Sequence, residues 1–326
     1  MNHNGDIDLA KRLVREAKNC GADCVKFQTF KAERVVTINA PKASYQLKTT
    51  DPSESQINML KKLEMPEKNY QEIVDYCREL DIVFISTPYN VEDVDFLDKL
   101  GVPAFKLASM HIVEPYFIDY TAKKGKPVIL STGMATLEEV DQAVCTLRES
   151  GNDQFILLQC TTNYPSRLED ANLRAIHTIR NAFDALVGYS DHTQNDIACI
   201  VSVALGANVV EKHFTLDKTL PGPDQSSSYD PEEFARLVEN IRNAEKVLGS
   251  DRKKPCEIEK INAEGMRRSV VAKDFIREGT IITQEMLTFK RPATGLPPSY
   301  FHGVIGKKAL RRIEADSPIQ WDDLER

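Results

Sequence analysis

Residues 186–228 read LVGYSDHTQNDIACIVSVALGANVVEKHFTLDKTLPGPDQSSS, and this stretch decides the fold. It begins within the first of two short apolar runs, residues 185–188 and 208–211, which an amphipathic segment separates. The order predicts a strand, a helix and a second strand. In a parallel βαβ unit the carboxyl ends of the two strands lie side by side. Because His192 and His213 follow those ends, we expect the two imidazoles to face one point.

The histidine pair is a candidate metal site. Neutral imidazole is the commonest metal ligand in proteins, and the polar residues Ser190, Asp191, Glu211 and Asp224 surround the pair. A lone histidine is more often a hydrogen-bonded or surface group. Spacing alone therefore leaves two alternatives open, a shared metal ion and an ordinary polar pair.

The rest of the chain continues the alternation of strands and helices. Apolar runs that predict strands lie near residues 23, 82, 103, 127, 155, 185 and 208. Such strands, separated by amphipathic helices, indicate a parallel sheet covered by helices. Polar clusters follow every strand, which favours a closed (β/α)₈ TIM barrel over an open doubly wound sheet of seven strands. A closed barrel needs eight strands, so we interpret the chain as an α/β barrel that lacks its first strand.

The composition of the chain changes after Gly249. Residues 251–265 are rich in charge and are interpreted as a linker between a barrel domain, residues 1–250, and a small domain, residues 266–326. Short β-like pieces at 269–272 and 280–283, followed by several prolines, predict mixed β and loop structure for the small domain.

Charge and hydropathy exclude several classes of function. The 326 residues include 42 basic and 49 acidic side chains, for a net charge of −7. This balance argues against non-specific binding to nucleic acid or to anionic membranes, and it still allows a local basic pocket. No apolar run approaches the ~20 residues of a membrane helix, and no charged and then apolar leader opens the chain. We therefore predict a cytoplasmic protein.

Polar side chains stand at the end of each predicted strand, on the face where barrel enzymes carry their active sites. Lys26 and Lys106 each end an apolar strand, where an ammonium group is costly unless an anion lies beside it. Lysines together with small hydroxyls suit a phosphorylated substrate. For a single hydroxyl such as that of Thr87, a strand-end turn is an equally good explanation.

Two connections on the same rim are candidate substrate elements. Residues 30–63 form a long connection, which predicts a lid, a substrate loop or a dimer contact. The turn at residues 221–224 would aim Asp224 over the rim, although an aspartate in a turn as often only caps backbone amides.

Eight motifs, in order, resemble those of the sialic acid synthases, the bacterial N-acetylneuraminate synthases and their legionaminic and pseudaminic acid relatives. They are NHNGD (2–6), KFQTF (26–30), FISTPY (84–89), ILSTGM (129–134), QCTTNYP (159–165), GYSDHT (188–193), EKHFTLDKTLPGPD (211–224) and VVAKDFIREGTIIT (270–283). The resemblance covers almost the whole chain. It implies a (β/α)₈ TIM barrel followed by an antifreeze-like (SAF) β-clip domain.

The resemblance also implies an activity. Phosphoenolpyruvate condenses with the open-chain aldehyde of an N-acylmannosamine-type sugar to give a nine-carbon 2-keto acid and phosphate. Water adds at the oxocarbenium carbon, and the adduct expels phosphate with C–O cleavage. A divalent ion, Mn²⁺ or else Mg²⁺ or Co²⁺, would be held by His192 and His213 and would polarise the aldehyde.

By matching position, the resemblance assigns further roles. The catalytic residues would be His192, His213 and Lys106. Phosphoenolpyruvate would be bound by Lys26, Gln28, Lys106, Ser109, Ser131 and Ser190, and the sugar by Thr87, Tyr164, Asp224 and Arg291. In this family the small domain caps the barrel of the partner subunit in a domain-swapped homodimer, where Arg291 would reach the N-acyl group. The alternative is that Arg291 braces the small domain.

Two departures from the family pattern bear on activity. The family's first strand ends in a Glu-Ile-Gly triplet whose glutamate acts near the metal-bound water, and this chain starts after it. We therefore expect an N-terminally truncated synthase, or an inactive barrel retained as a binding or scaffold protein. Secondly, His111 stands where many members have a glutamate that contacts the sugar. His111 is predicted to accept a more apolar C6 group, and the acceptor stays open between N-acetylmannosamine and a 2,4-diacetamido-trideoxyhexose.

Overall fold

The computed structural model describes all residues from Met1 to Arg326. The chain forms two compact units, Met1–Gly249 and Ser250–Arg326. The first unit contains seven strands, β1 (Cys24–Thr29), β2 (Val83–Pro88), β3 (Phe105–Leu107), β4 (Val128–Ser131), β5 (Phe155–Cys160), β6 (Leu186–Asp191) and β7 (Val209–Lys212).

Helices connect these strands throughout the first unit. They are α1 (Ile7–Asn19), α2 (Ala32–Val35), α3 (Gln46–Thr49), α4 (Gln56–Lys61), α5 (Glu67–Glu79), α6 (Val91–Leu100), α7 (Pro115–Ala122), α8 (Leu137–Glu149), α9 (Ala175–Phe183), α10 (Ile197–Ala204) and α11 (Pro231–Leu248). Capping residues explain several starts. The Asp6 carboxylate accepts hydrogen bonds from the amides of Asp8 and Leu9 at the start of α1, and Thr136 and Glu139 form the predicted capping box of α8.

All seven strands are parallel and pair in chain order from β1 to β7. This confirms the seven predicted strands and the TIM-barrel-like fold. The sheet is open, with β1 and β7 as its edges. A cavity of about 220 Å³ lies between them, lined among others by Val25 and Lys26 of β1, Val210 and Glu211 of β7, and Val14 of α1. It passes through the position that a closed eight-stranded barrel would fill with a strand.

Successive side chains of a strand point alternately to the apolar core and to the polar face of the sheet. Phe105 and Leu107 have no exposed surface and belong to the apolar core that the helices cover. Each such buried side chain contributes about 1.5–3 kcal/mol to folding. Lys106 lies between them and points to the opposite face of the sheet, because successive side chains of a strand alternate.

The second unit has its own small core. It contains α12 (Glu257–Met266), β8 (Ser269–Ala272), β9 (Leu287–Lys290) and α13 (Phe301–Val304), with β8 and β9 antiparallel. Val270, Ile282 and Ile319 are buried at its centre.

The structure gives the local conformation of two segments of this region. Residues 257–266, interpreted mostly as linker, form α12, because a charged segment can still be helical when it lies exposed and has ion pairs such as Lys260 to Glu257 at 2.6 Å. Residues 280–283 are not a strand of the β8–β9 sheet and make only an isolated bridge, Ile281 to Lys308. The helices, considered together, include none with the length and apolar character needed to cross a membrane.

Candidate active site

Lys106 lies at the centre of a polar cluster on the face of the sheet opposite the apolar core. This cluster, called the anion cluster below, contains Lys26, Lys106, Ser131, Ser190 and Glu211. Its side chain is only 2% exposed, and its Nζ donates to Ser131 Oγ at 2.6 Å and to the Leu107 carbonyl at 2.8 Å. Burial lowers the pKa of Lys106 to about 8, with Lys26 acting in the same direction and Glu211 opposing it. The structure thus keeps a cation where few ligands satisfy it, as an anion site requires.

Glu211 joins this cluster, and sequence reasoning did not assign it a role. Its Oε1 accepts from Lys26 Nζ and from Ser190 Oγ, each at 2.9 Å, and Lys106 Nζ lies 3.9 Å from its Oε2. Burial alone would raise the pKa of the Glu211 carboxyl, but Lys106 and Lys26 lower it well below its usual range. Its position near the end of β7, two residues before His213, was the available signal, because residues two apart in extended chain lie on one face.

The two predicted histidines do come together. The ring centroids of His192 and His213 are 5.3 Å apart. His192 Nδ1 lies 2.7 Å from the Thr161 carbonyl, which leaves Nε2 as the acceptor atom of a neutral ring. Burial lowers the pKa of both imidazoles, so both are in the neutral form that binds metals.

The donor set around the histidine pair is small. His213 Nδ1 is 3.8 Å from Asp224 Oδ2, which is beyond hydrogen-bond distance. The structure gathers no group of three or more histidine, cysteine, aspartate or glutamate side chains that could hold an ion. A metal ion here would have two imidazole ligands and would take its remaining ligands from substrate or water. This fits a borderline divalent ion with open positions.

An aromatic wall borders the histidines. The Tyr164 ring lies 4.1 Å from the His192 ring and 5.0 Å from the Tyr45 ring. Tyr45 comes from the long connection 30–63, whose Thr49 Oγ1 also donates to the Pro223 carbonyl at 3.2 Å. The connection therefore lies at the carboxyl ends of the strands, beside Asp224. Tyr45 was not predicted as a site residue.

The remaining barrel residues lie on neighbouring strands or just after them. Gln28 of β1 and Thr87 of β2 are register partners. Thr87 Oγ1 is buried and has no hydrogen-bond partner, so a strand-end turn does not explain it. Ser109 Oγ accepts from the Gly133 amide at 3.0 Å, which places a hydroxyl beside the end of β4.

Two predicted sugar contacts have a different status. His111 is completely buried, its ring is 4.3 Å from that of Phe117, and its Nδ1 lies 3.1 Å from Glu114 Oε2. The hypothesis that His111 touches the C6 group of a sugar does not match this packing, because no surface of the residue is exposed. Arg291 belongs to the second unit, where it is exposed.

The histidine pair, with room for further ligands on a metal ion, lies beside the cluster of Lys26, Lys106 and Glu211. Both lie at the carboxyl ends of the strands of a TIM-barrel-like sheet. This fold and this position of the site define a class of barrel proteins. Residues 13–253 match the NeuB family, and residues 267–325 match the SAF domain. The chain belongs to the NeuB family, the sialic acid synthases.

Individual relatives agree with this assignment. The N,N'-diacetyllegionaminic acid synthase of Campylobacter jejuni is 42% identical over 322 residues, which covers 98% of this chain and 96% of the relative. The human N-acetylneuraminate-9-phosphate synthase is 40% identical over 323 residues, with 98% and 89% covered. The crystal structure of the N-acetylneuraminic acid (sialic acid) synthetase of Leptospira borgpetersenii, in complex with citrate, has a TM-score of 0.71 at 32% identity and covers 81% of this chain and 87% of that one. Coverage of this extent gives no support to the predicted truncation.

Proposed function

We propose that this chain condenses phosphoenolpyruvate with the open-chain aldehyde of an N-acylmannosamine-type sugar and consumes one water, to give a nine-carbon 2-keto acid and phosphate. The observation that carries the proposal is the cluster of Lys26, Lys106 and Glu211 beside the neutral pair His192 and His213. A substrate with a phosphate and a carboxylate group needs the lysines, and an aldehyde under nucleophilic attack needs a Lewis acid that polarises it. The family assignment supports the same reaction class.

The lysines and serines bind phosphoenolpyruvate in this proposal. Lys106 and Lys26 supply positive charge in a place with little water to screen it, and the hydroxyls of Ser109, Ser131 and Ser190 supply directed hydrogen bonds. Gln28 completes the set from β1. Without substrate, Glu211 binds the lysines and keeps them in place. The phosphate of an incoming substrate then competes with Glu211 for the same lysines.

His192 and His213 are the proposed ligands of a divalent ion, Mn²⁺ or else Mg²⁺ or Co²⁺. When bound, such an ion supplies Lewis-acid polarisation of the sugar aldehyde. The Thr161 carbonyl fixes the tautomer of His192 through Nδ1. Burial keeps both rings neutral at pH 7, which removes competition between a proton and the ion.

Tyr164, Thr87 and Asp224 are the proposed sugar contacts in the barrel. Thr87 Oγ1 has no partner in the protein, so a sugar hydroxyl would satisfy it. Burial raises the pKa of Asp224, and a carboxyl group in either protonation state can bond to hydroxyls. Tyr45 adds a wall on the side of the long connection.

A homodimer in which Arg291 of the small domain reaches the N-acyl group belongs to the same proposal. It is supported by the family assignment and by the exposure of Arg291. Light scattering of the purified chain tests the dimer. The variant Arg291→Ala should raise the KM for the sugar and leave the KM for phosphoenolpyruvate unchanged, and a monomer with full activity would contradict this part.

The test of the reaction uses the full chain with phosphoenolpyruvate, N-acetylmannosamine and Mn²⁺. Phosphate release and the thiobarbiturate reaction for 2-keto sugar acids are measured in parallel. His213→Ala should abolish both signals, while the matched control His177→Ala, on α9, should retain them. If neither N-acetylmannosamine nor a 2,4-diacetamido-trideoxyhexose gives product, the chain is an inactive barrel with a binding role.

The acceptor sugar is decided by direct comparison. Our proposal is that the chain acts as a sialic-acid-type synthase, with a legionaminic or pseudaminic acid synthase as the alternative. The Campylobacter relative described above supports the legionaminic form of that alternative. The ratio of kcat/KM for the two sugars distinguishes them. A higher kcat/KM for the diacetamido sugar than for N-acetylmannosamine would reject N-acetylmannosamine as the main acceptor.

A further inference from the structure

We infer that Asp191 and Lys212 are positioning residues that set the spacing of His192 and His213. Each of the two precedes one of the histidines in the sequence. The inference rests on the proposed function, in which the histidines are metal ligands. It assigns a role to a buried ion pair that the proposed reaction does not otherwise use.

Asp191 and Lys212 face each other directly. They are register partners at the ends of β6 and β7. Lys212 Nζ lies 2.6 Å from Asp191 Oδ2, and the two side chains are only 2% and 0% exposed. The pair therefore joins the two strands at the last residue before each histidine.

Strand alternation explains why the pair lies behind the site. Ser190 and Glu211 also pair in register, and their side chains bond to each other in the anion cluster. The next residues, Asp191 and Lys212, must point to the opposite face. There the ammonium group lies 4.1 Å from the centre of the Tyr229 ring, in a cation–π contact.

The contacts of the pair bracket His192 on both sides. Lys212 Nζ donates to the Thr193 carbonyl as well as to Asp191. Asp191 Oδ1 accepts from the Thr193 amide at 2.8 Å and from Tyr189 Oη at 2.9 Å. The residues before and after His192 are therefore tied to the residue before His213.

The segment after His213 is tied to the same place. The Tyr229 amide donates to the His213 carbonyl at 2.8 Å, and the Tyr229 ring contacts Lys212. A buried ion pair is weak evidence for stability by itself, because desolvation offsets the attraction. What this pair does specify is a fixed distance between two strand ends. A metal ion that needs two imidazoles requires that distance to be constant.

The experiment measures Mn²⁺ binding by calorimetry on the full chain without substrates, and the visible absorption of the Co²⁺ form. Lys212→Met should weaken Mn²⁺ binding about tenfold, the low end of the effect of removing a group that bonds directly to a metal ligand, because Lys212 acts through the residues on either side of His192. Lys212→Arg keeps the charge and should recover most of the affinity. The control Lys126→Met breaks an ion pair at the amino ends of the strands, with Asp98 at 2.7 Å, and should bind Mn²⁺ like the wild type.

The kinetic expectation separates positioning from general destabilisation. Lys212→Met should lower kcat and raise the Mn²⁺ requirement, with the KM for phosphoenolpyruvate within about twofold of wild type. If Lys212→Met does not fold, Asp191→Asn replaces it, because the amide keeps the shape and one acceptor. A folded variant of either kind with wild-type Mn²⁺ affinity and Co²⁺ spectrum overturns the inference.

The two proposals fail in different ways. If wild type binds Mn²⁺, His213→Ala loses it and Lys212→Met retains it, only the positioning role is rejected. If wild type binds no divalent ion, or His213→Ala binds it unchanged, the metal site itself is rejected, and the positioning role with it.

Discussion

Lys106→Met should make the protein more stable and less able to bind its anionic substrate. The pKa of Lys106 falls from 10.5 to about 8 on folding. At 1.36 kcal/mol per pKa unit, the protonated ammonium costs the folded state about 3 kcal/mol at neutral pH. Methionine fills a similar volume without the charge. Ser131 Oγ and the Leu107 carbonyl lose their donor, which offsets about 1–2 kcal/mol.

The net expectation is a gain of about 1–2 kcal/mol in the free energy of unfolding, or about 2–8 °C in Tm for a unit of this size. Glu211 is not left unpaired, because Lys26 stays at 2.9 Å. Binding of phosphoenolpyruvate loses a charge-assisted hydrogen bond of about 1.5–3 kcal/mol, which weakens it about 10- to 100-fold.

Urea unfolding and calorimetric titration with phosphoenolpyruvate check the two halves. The pH dependence gives a third reading. The stability difference between wild type and Lys106→Met should change in favour of wild type from pH 8 to pH 10.5, because over this range the unfolded lysine holds a proton that folded Lys106 has lost, while the buried thiols and tyrosines affect both proteins equally. Below pH 8 the difference should be independent of pH. A variant that is less stable than wild type and binds phosphoenolpyruvate normally would refute the reasoning.

Three further predictions concern single features of the site. Thr87→Val should raise the free energy of unfolding by about 1 kcal/mol, because it removes a buried hydroxyl without a partner. It should also raise the KM for the sugar about fivefold. An unchanged KM for the sugar would show that Thr87 does not contact the sugar. In Gly133→Ala the new Cβ would lie 2.7 Å from Ser109 Oγ and 2.3 Å from Thr162 Oγ1. The KM for phosphoenolpyruvate should therefore rise, and the free energy of unfolding should fall by about 1–3 kcal/mol. Normal kinetics would show that both hydroxyls move aside without affecting substrate binding. Stability, measured by urea unfolding, should fall as pH drops below 6.5, because burial lowers the pKa of His3, His111, His192 and His213 and the unfolded imidazoles therefore take up protons before the folded ones. A flat profile between pH 6.5 and 5 would contradict this.

The histidine pair shows how far sequence reasoning carries. Two apolar runs with an intervening helix predict adjacent parallel strands. The polar residues that follow the two strand ends must then lie at the same edge of the sheet. His192 and His213 are therefore expected side by side, because the backbone fixes both strand direction and side-chain alternation.

Glu211, Tyr45 and His111 show where the same reasoning ends. Glu211 was visible as a polar strand-end residue, but its role as partner of two lysines depends on β1 and β7 approaching each other, which no local pattern encodes. Tyr45 reaches the site through the path of a long connection. His111 follows a strand like the other site residues, yet it packs against Phe117. Packing of this kind depends on the volume left by neighbouring side chains.

The open sheet has a consequence for motion. β4 and β5 have a hydrogen-bonded neighbour on each side, whereas β1 and β7 have one neighbour each. Amides on the two edge strands should therefore exchange with deuterium faster than those at the centre of the sheet, because less backbone bonding must open. Lys106 and Ser131 stand on interior strands, while Lys26 and Glu211 stand on the edges. The anion cluster thus spans the most and the least protected strands of the sheet, and the amides of Lys26 and Glu211 should exchange before those of Lys106 and Ser131.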